Sequence, residues 1–80
     1  MKIKIIQQDK KLIAEFHYGK DVDKYSLDKA EDFLLAIDKF IKKRKMKIES
    51  LKKASLRFEN TGLLTERIIK AIIGGLCFNT

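Results

Sequence analysis

Eighty residues make a single domain, 1–80, with a small core. Cys77 is the only cysteine and His17 the only histidine, so an internal disulfide framework is excluded and a structural zinc site lacks its usual ligands. Oligomerisation or a partner chain remains as reinforcement. The formal net charge of +7 is concentrated, because eight basic residues between Lys42 and Arg57 face one acid, Glu49, and the rest of the chain balances.

Lys2-Ile3-Lys4-Ile5 followed by Ile6 alternates with the period of a half-buried strand. The opening MKIKIIQQDKK carries no signal-peptide apolar core and, with the lone thiol, implies a cytoplasmic protein. After the turn-like Gln7-Gln8-Asp9-Lys10, a β-rich run over Lys11–Tyr18 closes at Gly19, which predicts an antiparallel hairpin over 2–18. Asp21 and Asp23, flanked by Lys20 and Lys24, read as a solvated loop. Asp28 and Glu31 have capping-box spacing, with Ser26 an alternative cap. Ala30, Phe33, Leu34, Ile37, Phe40 and Ile41 then recur at three- and four-residue intervals, predicting an amphipathic helix over about 28–44. It ends on Lys42-Lys43-Arg44-Lys45, where cations meet the negative end of the helix dipole. A linker with apolar anchors, Met46–Leu51, leads to Ala54, Leu56 and Phe58, whose alternation predicts a strand over about 53–58.

Glu59-Asn60-Thr61-Gly62 breaks that strand, and Asn60 or Thr61 can cap a second helix over about 62–75. There Gly74-Gly75 either ends the helix or lets another element approach closely. The order β-β-α-β-α predicts a small α/β sandwich, a three-stranded mixed sheet with two helices on one face. The last apolar run, LLTERIIKAIIGGLCF, is interrupted by Glu66, Arg67 and Lys70 and is too short to span a bilayer, so no membrane insertion is expected. Its apolar residues occupy more than one helix face, whereas a small sheet covers only one. Leu64, Ile68, Ile69, Ile72, Ile73 and Leu76 are therefore candidate interface residues for a homodimer or a partner protein, against the simpler alternative of a core helix.

The basic window supplies a second candidate surface. Lys42, Lys43, Arg44, Lys45, Lys52 and Lys53 could touch phosphate in a small nucleic-acid-binding module. No aromatic residue lies inside the window to stack on bases, which predicts weak, salt-sensitive RNA binding; a solvated helix end and loop explains the same charges. Catalytic chemistry finds little to work with. Cys77 with His17 is the one nucleophile and base combination, on different elements and with the thiol in an apolar context. The carboxylate pairs Asp21/Asp23 and Glu31/Asp32 are expected on solvated surface. No P-loop, dinucleotide fingerprint or calcium loop occurs, and neither a catalytic residue nor a metal or cofactor is expected.

Lys29–Asp38, KAEDFLLAID, resembles the helix pattern HSExLLPAID of the TsaB/TsaD family, keeping the Glu and the terminal Ala-Ile-Asp. The family continues with a leucine-bearing linker, a strand, a loop similar to GxGPGSFTGLR and an apolar helix similar to IGLATAKGLAF. Arg67 falls on that loop's Arg, and Ile68, Ala71, Gly75, Leu76 and Phe78 fall on matching helix positions. The resemblance implies part of a lobe of the ribonuclease H-like fold of the actin-like ATPase superfamily. It also implies the role of TsaB, a non-catalytic subunit that activates TsaD in forming the threonylcarbamoyladenosine modification of transfer RNA and associates through helices of its first lobe. Two departures follow. Glu59-Asn60-Thr61 replaces the phosphate-cradling glycines, and the chain is expected to begin at what would be the family's second strand. With the second lobe also lacking, the expectation is a subunit without a nucleotide cleft that dimerises or binds a TsaD-like partner.

Overall fold

A computed structural model describes residues 1–78, the side chains of 52 and 76–78 excepted. Three strands, β1 (Lys2–Gln8), β2 (Lys11–Tyr18) and β3 (Asp21–Leu27), lead through a 3-10 turn at Ala30–Asp32 into α1 (Phe33–Arg44). A 3-10 segment, Ile48–Lys53, then precedes β4 (Ser55–Glu59) and α2 (Leu63–Phe78). The sheet order is β3-β2-β1-β4; β1, β2 and β3 form an antiparallel meander, and β4 lies parallel to β1.

The sheet thus has four strands and not the expected three, and three strands precede the first helix where two were expected. The additional strand is β3. Its register, Phe16 opposite Asp23 and Leu12 opposite Leu27, turns Asp21, Asp23, Tyr25 and Leu27 to one face. Two of these four are acids, so the run lacks the apolar alternation by which a half-buried strand is recognised. Two-residue loops join the meander, and each begins with a left-handed residue, Asp9 (φ 53°) and Gly19 (φ 62°), as tight hairpins require. The Gln7 Nε2 braces the first loop by donating to the Asp9 and Lys11 carbonyls at 3.0 and 3.1 Å.

One sheet face makes the core. Ile3 and Ile5 of β1, Leu12, Ala14 and Phe16 of β2, and Leu27 of β3 pack with Phe33, Ala36, Ile37 and Phe40 of α1 and Ile69 of α2. Both helices therefore lie on that face. Phe16 anchors it, stacked on Phe40 at 4.5 Å and on Phe33 at 6.0 Å between ring centroids, with Tyr25 edge-on at 5.6 Å. The opposite face carries Lys2, Lys4, Glu15, His17, Lys24 and Arg57 around the paired Ile6 and Ile13, and no described element covers it.

The helix boundaries move slightly from expectation. The first helix enters through the 3-10 turn without a side-chain cap, so the Asp28/Glu31 capping box does not form. Ala36, and not Leu34, completes the core stripe with Phe33, Ile37 and Phe40. The helix ends at Lys45, a left-handed residue whose backbone N–H returns to the Ile41 carbonyl. The third expected strand begins two residues later than its pattern suggests, because Lys53 belongs to the 3-10 segment. Gly74 and Gly75 neither end α2 nor admit a close neighbour, since a Cβ at either would meet only open space. Among the described residues no helix is long and apolar enough to cross a membrane.

Truncating Phe40 to Ala removes the closest ring from the Phe16 stack and leaves a cavity. The expected cost is about 3–5 kcal/mol, against a total of about 0.05–0.15 kcal/mol per residue for a typical domain. Urea denaturation is expected to find the Phe40→Ala midpoint well below that of the natural chain, by an amount that corresponds to this loss.

Candidate protein-docking surface

The apolar helix has three layers of exposure. Ile69 is 0% exposed and belongs to the core, which corrects its assignment as an interface residue: it points at the sheet. Ile68, Ile72 and Ile73 are half-buried at the core margin. Leu63 and Leu64, in the first turn, are 75% and 72% exposed. Leu76 lies outside the described side chains. A shallow cleft of about 280 Å³ separates Leu64, Thr65 and Ile68 from Lys10, Leu12 and the Lys29–Glu31 stretch. Leu34, from α1, is also about half exposed.

The sequence spacing explains this division. On a helix, residues 64, 68 and 72 share one stripe, whereas 69 and 73 lie a step around the barrel. A narrow sheet occupies one direction only. The stripe of Leu64 and Ile68 is left facing a cleft whose other wall is the 3-10 turn with Asp28 and Lys29 before it, the first hairpin loop and the adjoining ends of β1 and β2.

The basic window is dispersed by the fold. The Lys43 Nζ donates to Asp23 Oδ1 at 2.9 Å, and Arg44 donates to both Asp23 carboxylate oxygens through Nε (2.9 Å) and one terminal nitrogen (3.1 Å). The other terminal nitrogen reaches Asp21 at 3.3 Å, and Lys42 pairs with Asp38 one turn earlier at 3.1 Å. Lys45 caps the helix through its backbone with its side chain exposed, Lys53 is exposed, and the Lys52 side chain is outside the described set.

Asp23 itself is corrected from solvated loop to buried strand residue, 8% exposed on the core side of β3. The hydrogen bonds from Arg44 first, and Lys43 second, hold its carboxyl below the usual aspartate range against the opposing effect of burial. Asp23 in turn raises the Arg44 guanidinium. A carboxylate so held remains charged and is a poor general acid.

The remaining chemical candidates stay apart. His17 sits on the uncovered sheet face with its Nε2 3.0 Å from Glu15 Oε1, and Lys24 approaches the other Glu15 oxygen at 3.8 Å. Glu15 is the functional-group neighbour that sequence reading overlooked; the two-residue strand period places 15 and 17 on one face. The Cys77 thiol lies outside the described side chains. Glu31 is exposed and Asp32 half-buried on successive residues of the 3-10 turn. Among the described residues no group of three or more His, Cys, Asp or Glu could hold a metal ion. The chain matches no protein-family model, no curated protein and no solved structure.

The Asp23 cluster yields a pH-dependent expectation. Because the folded pKa is depressed, its stabilisation is fully present above the ordinary aspartate value of about 3.9 and is lost as pH falls through the lower folded value. Asp23→Asn is expected to lower the thermal unfolding midpoint by several degrees near neutrality, with the gap to the natural chain closing only below about pH 4. Arg44→Glu is expected to be worse, since it sets three acids together, whereas Lys53→Glu changes stability by no more than about 0.5 kcal/mol. Thermal melts across pH check all three.

Proposed function

We propose that this chain is a non-catalytic interaction protein, a TsaB-like subunit that pairs with itself or with a TsaD-like protein through the exposed face of α2. Its cellular context on this reading is formation of the threonylcarbamoyladenosine modification of transfer RNA. The observation that carries the reading is the pair Leu63 and Leu64, three-quarters exposed and continuous with half-buried Ile68. Burying one such side chain is worth about 1.5–3 kcal/mol, so a few together offset the cost of association. The run of three strands, helix, strand and helix is compatible with part of such a lobe.

A basic nucleic-acid-binding module is the second reading, and exposed Lys45 and Lys53 keep it open. The ion pairs of Lys42, Lys43 and Arg44 favour the first. Phosphate would have to compete with Asp23 and Asp38 for those three cations.

Light scattering across a concentration series tests the choice. The expected result is a reversible dimer, or a monomer that forms a stoichiometric complex with a TsaD-type protein. Leu64→Asp should weaken either association at least about tenfold, equivalent to about 1.4 kcal/mol, while leaving the unfolding midpoint in place because Leu64 is exposed. A monomer indifferent to TsaD-type proteins that binds RNA in a salt-dependent manner, with affinity lost on Lys45→Glu and Lys53→Glu, would overturn the interface reading in favour of the second.

A further inference from the structure

A different surface has the construction of a binding site. β3 is an edge strand, and Lys24–Asp28 make no described backbone hydrogen bond outside the ladder to β2. Alternate N–H and C=O groups along such an edge face outward without a partner. Beside this edge lies a cleft of about 450 Å³, within the range of about 300–1,000 Å³ usual for ligand sites. Five consecutive residues, 24–28, line one wall. Since side chains of a strand alternate between faces, a run without gaps means that the cleft follows the strand's edge and not one of its faces. Asp32, the last residue of the 3-10 turn, and Leu35, Ala36 and Lys39, one stripe of α1, line the other wall.

Polarity along the cleft follows from the chain path. α1 begins just after β3 ends and returns alongside it, so that Arg44 meets Asp23 and Asp21 near the start of β3. Asp28 and Asp32 therefore lie at one end and Lys24 and Lys39 at the other, with Leu35 between them. Leu35 is 61% exposed, an aliphatic side chain at the middle of a groove with nothing described to cover it. Asp28, Asp32 and Lys39 take part in no described ion pair, and Lys24 makes only the long contact to Glu15.

We propose that this cleft binds an extended peptide segment of a partner protein, which adds to the sheet as a fifth strand along β3. Its backbone completes the edge hydrogen bonds, an aliphatic side chain covers Leu35, and its acidic and basic ends meet Lys24/Lys39 and Asp28/Asp32 respectively. An edge strand next to a helix that supplies side-chain specificity is a recurrent mode of peptide recognition. The site shares no α2 residue with the cleft beside Leu64 and Ile68 and meets it only at Asp28, which lines both.

The test selects a display library of random peptides of roughly ten residues, the upper length of ordinary strands, on the full chain. An enriched peptide is then titrated into isotopically labelled protein by NMR. The expected peptides alternate aliphatic with polar residues and carry opposite charges at their ends, and the backbone shifts concentrate at 24–28 and 32–39. Leu35→Arg should lower affinity at least about tenfold, the scale of losing one buried anchor. Lys39→Glu should lower it too, and a peptide with its acidic end changed to lysine should restore it, which a merely structural effect would not produce. Leu64→Asp should leave peptide affinity unchanged, separating this site from the α2 interface. The proposal is overturned if no peptide is enriched, if shifts concentrate on α2, or if Leu35→Arg has no effect. Concentration-dependent shifts at 24–28 without peptide would also overturn it, by making a second copy of this chain the occupant.

Discussion

The clasp of Asp23 by Arg44 and Lys43 is the constraint on which the arrangement of this small protein turns. An edge strand that turns an acid toward the core would normally be expelled, because burying an unpaired carboxylate costs more than its neighbours can return. Here the last turn of α1 brings two cations to the acid at 2.9 Å, and the guanidinium takes both oxygens. One polar contact thereby fixes the end of the helix against the first half of β3. The acid would be out of place without the helix end, and the cations would be a loose basic cluster without the acid.

That fixed geometry has two consequences. It sets the direction of α1 across the sheet, which places Phe33 and Phe40 on Phe16 and closes the aromatic centre of the core. It also sets α1 alongside β3 with a cleft between them, lined by one helical stripe and one strand edge. The polar clasp and the apolar stack are thus complementary: the stack supplies burial, which has no direction of its own, and the clasp supplies orientation.

The rest of the surface follows from the disproportion between core and chain. Two helices share one face of a four-stranded sheet, so the other face is left to long charged side chains, with Lys4 and Glu59 paired at 2.9 Å and Glu15 held between His17 and Lys24. Among them Ile6 is almost covered although it faces away from the core, opposite Ile13 on the neighbouring strand. No such cover reaches the first turn of α2. Leu63 and Leu64 remain exposed at the start of the helix, where Leu64 faces a cleft shared with the 3-10 turn and the ends of β1 and β2.

The amino-acid sequence determined what depends on local period. The alternation of Ile3 and Ile5, the β-rich run to Tyr18, the helical spacing of Phe33, Ile37 and Phe40, and the apolar run from Leu63 each name their element, because side-chain direction repeats every two residues in a strand and every 3.6 in a helix. The excess of apolar residues on α2 was legible for the same reason. Tertiary structure alone decided what depends on distant partners. Asp23 is a strand residue only because Arg44, 21 positions later, neutralises it, and no local pattern holds that information. The same pairing turned a run of positive charge into a structural clasp. The division of α2 into buried Ile69 and exposed Leu64, and the cleft beside β3, were likewise set by where a narrow sheet stops, a property of the assembled layers and not of any segment.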